Sequence, residues 1–261
     1  MGASAHAPSR LRQAAVPVLT VVCLLALWQA AVDLGWIERF LLPSPTDVVA
    51  ALVEDAPLLA GHAATTLVEA AIGLACGVAL GFVVAVLMDA FETVRLALRP
   101  LVTVSQTIPT IAIAPLLILW LGYGILPKVV LIVITTFFPV AVNLVAGFAS
   151  VDPDVIDLMR TMRASDWQVF WYAKLPAAAD QFFSALKISA TYAIVGAVIS
   201  EWLGGTSGLG VYMTRVRKSF AYDRMFASIA VVSALSLALT ALVGALERLC
   251  MPWKREERKD S

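Results

Sequence analysis

Six stretches of roughly 20 mostly apolar residues run through this chain, the length a helix needs to cross a hydrocarbon core about 30 Å thick. They cover residues 14–32, 66–88, 101–121, 126–149, 183–203 and 226–250. None alternates polar and apolar residues as a membrane-barrel strand does. Hydrophobic residues make up 60% and charged residues 15%, and mean hydropathy is +0.86, an apolar surplus that a soluble core of 261 residues does not absorb. The expected fold is all-α and integral to the membrane, with about six transmembrane helices. It reads as a single transmembrane domain over 1–261, with its core at about 60–250. The lipid bilayer is then its first partner.

Charge and cysteine usage exclude other classes. The 19 basic and 19 acidic side chains cancel, which leaves no composition argument for a nucleic-acid partner. Cys23, Cys76 and Cys250 lie far apart in apolar stretches, without a CxxC spacing, and read as small hydrophobes rather than disulfide or metal residues. The first apolar stretch follows Arg10 and Arg12 as a signal peptide would. Its length and the lack of an A-x-A site behind it mark it as a retained anchor. With both termini inside, Arg95, Arg99, Arg160, Arg163, Lys174, Arg248 and the basic tail fall on the cytoplasmic side. The cluster from Arg215 to Arg224 runs against that rule. Trp36, Trp120, Tyr123 and Trp202 stand at the expected outer ends.

The most specific signal is the inner loop at 150–176. Asp152-Pro153 is a helix start, an N-cap followed by proline at the first helical position. Val155, Leu158, Met159 and Met162 then make one apolar face, with Asp154, Asp157, Arg160 and Arg163 on the other. Ser165 and Gln168 form a capping-box pattern that opens a second short helix, and Leu175-Pro176 is expected to end it. Such a pair of helices either rests on the bilayer or bundle, or docks in a cleft of a separate cytoplasmic protein.

Asp157, Arg163 and Leu175-Pro176 stand at the spacing of the "EAA…G…LP" loop, and the chain resembles the permease subunits of ABC importers. It is most similar to the branch holding sulfonate, nitrate, taurine and thiamine-precursor permeases. The stretches that carry this are 41–47 (L-L-P-S-P-T-D), 105–115 (S-Q-T-I-P-T-I-A-I-A-P), 137–143 (F-F-P-V-A-V-N) and 196–210 (G-A-V-I-S-E-W-L-G-G-T-S-G-L-G). The resemblance implies a type I importer fold in a bacterial inner membrane. It implies that Asp157, Leu158, Met159, Arg163, Leu175 and Pro176 dock on an ATP-binding subunit as a coupling loop. It also implies a substrate-binding protein and a permease homodimer as partners. The family's Glu-Ala-Ala is Asp157-Leu158-Met159 here, and its glycine is Arg163. An arginine there takes a different backbone course, or bears strain if it stays left-handed.

Prolines at 109, 115 and 139 are expected to kink the third and fourth spans, either as static features of a packed bundle or to open a cavity. Candidate pathway residues are Gln106, Thr110, Thr136, Asn143, Tyr192 and Glu201. Glu201 is the most unusual, an acid near the end of an apolar span, for which pairing with Arg215 or Arg217 is the plainer alternative. Gly73, Gly77 and Gly81, four apart, read as a close-packing face.

Two rival functions find little to build on. Gly205-Thr206-Ser207-Gly208 matches the G-x-S-G string of rhomboid proteases. However, His6 and His62 are the only histidines and neither lies on a later span, so the string reads as a flexible turn. An ion-driven secondary transporter would need midplane ionisable groups, and Glu69, Asp89, Lys187 and Glu201 all sit near the expected span ends. No P-loop and no Gly-Lys pair occur. The chain itself is therefore expected to hold no cofactor, no metal and no catalytic residue, with ATP and Mg on the partner ATPase. Stretches 122–128, 157–162 and 192–203 resemble permeases for thiamine-precursor pyrimidines and related heteroaromatics, with sulfonate, nitrate or taurine as the alternative.

Overall fold

The computed structural model describes residues 10–105 and 107–252, and every regular element among them is a helix. In chain order these are α1 (Arg10–Asp33), α2 (Pro45–Glu54), α3 (Ala56–Ala90), α4 (Glu92–Ser105), α5 (Thr110–Leu121) and α6 (Ile125–Phe148). A short pair follows, α7 (Pro153–Thr161) and α8 (Asp166–Val169). A π-helical turn (Phe170–Lys174) and a single turn, α9 (Leu175–Ala177), then lead into α10 (Ala179–Gly204), α11 (Leu209–Lys218) and α12 (Tyr222–Cys250). Among the described residues, α1, α3, α6, α10 and α12 are long and apolar enough to cross a membrane.

The third expected span is not one helix. It breaks between Ser105 and Thr110, where Pro109 has an extended ψ of 117° and restricts the residue before it. The remaining 12 residues of α5 reach only about 18 Å at 1.5 Å per residue. The second span begins earlier than its hydropathy suggests, at Ala56, with Pro57 in its first turn. Two helices lie in stretches expected to be loops. One is α2, whose Ser44 caps Asp47 and is capped in return, with Pro45 at the first position. The other is α11.

Half of the most apolar stretch of α10 is buried, against 6% for α1 and for α12. So α10 is the hub, and α1 and α12 present apolar flanks outward. The seam of α3 on α6 is set by small residues. Gly73, Gly77 and Gly81 meet the side chains of Ile132, Thr136 and Val140, one helical turn apart on each side, so the α6 side chains seat directly on the α3 backbone. Leu74, Ile132 and Ile194 fill the centre of the bundle. Leu144, Phe148 and Ala178 fill the end near the 150–176 loop, and Leu59, Leu209 and Tyr212 fill the opposite end.

Candidate functional site

The 150–176 loop forms as its capping residues dictate. Asp152 accepts from the amide of Asp154 to open α7, and Ser165 and Gln168 close a capping box on α8. At the end of α7, the amide of Arg163 donates to the Arg160 carbonyl (2.9 Å) and that of Ala164 to Met159 (3.0 Å), a Schellman motif. Arg163 stands at its left-handed position with φ of 60°, so the strained alternative is the one adopted. Leu175-Pro176 does not stop the helix. Leu175 keeps helical angles, and the wider π turn before it is where the hydrogen-bond ladder changes register ahead of the missing proline amide.

The apolar face of this loop is not turned into the bundle. Leu158 is 61% exposed, Met162 75% and Trp167 67%, and Asp157, Arg163 and Pro176 are exposed too, whereas Met159 and Leu175 are half-buried. The loop is nonetheless held firmly. Val169 is buried, Phe170 meets Phe148 edge-on at 5.3 Å between ring centres, and Lys174 Nζ donates to both carboxylate oxygens of Asp89 at 2.8 and 2.9 Å.

The candidate pathway residues divide. Thr110 and Tyr192 line one cavity of about 410 Å³ between α5, α6 and α10, together with Thr135, Phe138 and Pro139. Thr136 is fully buried against Gly77, its hydroxyl donating to the Ile132 carbonyl at 2.8 Å. Asn143 donates from its side-chain amide to the Pro139 carbonyl at 2.8 Å. Gln106 lies outside the described residues.

Glu201 is 1% exposed. Its carboxylate accepts from the Thr66 hydroxyl at 2.7 Å and from the Gly210 amide at 2.6 Å, and among the described residues it makes no ion pair with Arg215 or Arg217. The two amides before Gly210 are captured as well, Leu209 by Thr66 Oγ1 (2.9 Å) and Gly208 by His62 Nδ1 (3.0 Å). Three successive N–H groups at the start of α11, left open because Gly208 brings no side chain, are thus satisfied by side chains from α3 and α10. A Cβ on Gly208 would run into the Glu201 carboxyl. The G-x-S-G turn is therefore pinned rather than flexible. At its far side the Tyr212 hydroxyl donates to Asp55 at 2.5 Å, and burial together with that bond raises its pKa above the usual tyrosine range.

His62, Thr66 and Glu69 share one face of α3, a signal the sequence offers at spacings of four and three residues. It goes unread because hydropathy places the start of the span too late. Glu69 and Lys128 form a buried ion pair at 2.5 Å. Lys128 stands in the first turn of α6, so this pair is buried yet lies at that end of the helix, and the two neutralise each other. Among the described residues no group of three or more His, Cys, Asp or Glu gathers in a metal-binding arrangement.

Residues 77–250 match the family described as "Binding-protein-dependent transport system inner membrane component". The chain is 35% identical over 249 residues to the formylaminopyrimidine transport permease protein ThiX of Halalkalibacterium halodurans, covering 95% of this chain and 99% of that one. It is 30% identical to the taurine transport system permease protein TauC of Escherichia coli, covering 94% and 92%. Its fold is similar to that in a crystal structure of an amino acid ABC transporter with histidines, with TM-score 0.61 at 20% identity, over 77% of this chain and 95% of that chain. With this helical core and these matches, the chain belongs to the binding-protein-dependent inner-membrane components and is a membrane-spanning permease subunit of an ABC importer, the kind whose ATPase activity resides on a separate subunit.

Proposed function

We propose that two copies of this chain pair around a path for a small solute, with both termini in the cytoplasm. ATP-binding subunits lie beneath, and a substrate-binding protein above. ATP and Mg stay on the partner, and α7, α8 and the turn to Pro176 sit in its cleft as the coupling loop. The observation that carries this reading is the uncovered apolar face of Leu158, Met162 and Trp167 on a loop that is otherwise anchored to the bundle. A face of that kind is stable only against a partner or lipid. Closure of the motor pair pulls the loop, and the Asp89–Lys174 contact passes the displacement into α3.

The cargo favoured by the more similar relative is a thiamine-precursor pyrimidine or related heteroaromatic, and the taurine relative supports a sulfonate, nitrate or taurine cargo as the alternative. The buried Glu69–Lys128 pair is the feature an ion-driven secondary transporter would use. Uptake into vesicles separates these readings. The assembled complex accumulates solute only with ATP, and Leu158→Glu/Met159→Glu abolishes uptake while the protein still inserts. Accumulation by the lone chain on a proton or sodium gradient defeats the proposal, as does full uptake by the double variant.

A further inference from the structure

We propose that the cavity between α5, α6 and α10 is a binding site for an uncharged, single-ring nitrogen heterocycle, stacked on Tyr192 and Phe138, and that it rejects anions. This rests on the permease reading and names the solute class for the same path.

Position comes first. Thr135 and Pro139 lie halfway along α6, Tyr192 and Val195 halfway along α10, and Pro109 and Thr110 at the break that opens α5. All of them face one space of about 410 Å³, near the lower end of the roughly 300–1,000 Å³ of ligand sites, so a single ring fits better than a fused system. The cavity also offers a wall for stacking. Tyr192 is 49% exposed, and its hydroxyl has no hydrogen-bond partner among the described residues. Phe138 is held by Phe137, their ring centres 4.6 Å apart. An offset or edge-on ring between such faces gains contact that a saturated solute does not. Pro139 has no amide to return to the Thr135 carbonyl four residues earlier, so that oxygen can take a ring N–H or amino group.

Charge decides the class. Among the described residues, none that lines the cavity is charged. The cations on the surrounding helices are engaged elsewhere, Lys128 with Glu69 and Lys187 with Glu247, each at 2.5 Å. An anion here has no counter-charge, and its desolvation costs several kcal/mol. The open N-terminus of α5 returns at most about 2 kcal/mol of that. A neutral ring escapes the cost.

The test keeps Tyr192 and places a reporter beside it. In the full chain with Cys23, Cys76 and Cys250 changed to Ser, Val195→Cys is labelled with a neutral maleimide in lipid nanodiscs. Aminopyrimidine should slow labelling about tenfold, while benzenesulfonate, a ring of similar size with a charge, changes it by less than about twofold. Adding Tyr192→Ala should remove the protection, and Tyr192→Phe should keep most of it. Equal protection by benzenesulfonate overturns the proposal. So does its absence with aminopyrimidine, the outcome if lipid or the second copy fills the space. The measurement needs neither ATP nor partner. Protection without ATP-driven uptake therefore defeats only the importer reading, and uptake without protection defeats only this one.

Discussion

Alanine at Gly77 and at Gly81 should destabilise the α3–α6 seam alike, yet only one of the two should be rescued by trimming its neighbour. A Cβ on Gly81 falls 2.9 Å from both Cβ and Cγ1 of Val140 and 3.0 Å from the Phe137 carbonyl oxygen. Carbon atoms prefer about 3.5–4.0 Å, so the helices must part by about half an ångström. A Cβ on Gly77 meets the Thr136 hydroxyl head-on, but its next contacts, Thr136 Cβ and the Val133 carbonyl, are at 3.2 Å. Overpacking of this kind costs about 1–3 kcal/mol. That corresponds to a thermal midpoint lower by roughly 2–4 °C per kcal/mol for a chain of this size. Thr136→Ala removes the colliding oxygen and leaves contacts that relax by a few tenths of an ångström, so Gly77→Ala/Thr136→Ala should recover most of the loss. Val140→Ala leaves both Val140 Cβ and the Phe137 carbonyl in place, so Gly81→Ala/Val140→Ala should recover little. The assay is helical circular dichroism on heating the full chain in one detergent, with both double-mutant cycles. Coupling of about 1–2 kcal/mol is expected in the first and near zero in the second. The reverse pattern would refute the packing argument.

Further predictions concern the loop and the turn before α11. Arg163→Gly should stabilise the chain by about 0.5–1 kcal/mol, because the left-handed penalty of roughly 1–2 kcal/mol outweighs the extra freedom of glycine in the unfolded chain. Phe220→Gly, at φ of 58°, serves as the contrast: it should gain nothing, because it loses ring contacts with Phe40 and Tyr222; both are read from thermal midpoints. Asp89→Lys or Lys174→Asp alone should speed proteolysis of the 150–176 loop, and the double reversal should restore protection; a double variant as labile as the singles would remove the strut from the mechanism. Glu201→Gln leaves either the Gly210 amide or the Thr66 hydroxyl without its acceptor, a cost of about 1–3 kcal/mol. Hydrogen exchange at Leu209 and Gly210 should accelerate, and unchanged rates would mean that the pinned turn does not depend on the carboxylate.

Much of the inner loop was legible because its signals are local. Asp152-Pro153, Ser165 with Gln168, and the i, i+3, i+4, i+7 face each lie within a turn or two of chain, and the structure forms the helices they specify. Arg163 shows the limit of such reading: only the resemblance to the permease loop marks the position as one that takes glycine, and only the backbone shows that the chain keeps the left-handed course. The break in the third span was foreshadowed by Pro109. Hydropathy averages over such a break and so reported one span. Glu201 had its chemistry visible and its partners hidden, since Thr66 lies 135 residues away and belongs to a helix whose start was placed too late.

By itself the sequence determined that the chain lives in a membrane, roughly where it crosses, and that it carries a loop built of two capped helices, because hydropathy and capping act over neighbouring residues. Only the tertiary structure decided that Glu69 neutralises Lys128, that α3 supplies caps for α11, and that Thr110 and Tyr192 share a cavity while Thr136 and Asn143 do not. Those outcomes depend on which face each helix turns to its neighbours. An apolar helix has almost no amphipathic signal to say which face that is, so the choice falls to glycine contacts and buried polar pairs between distant parts of the chain.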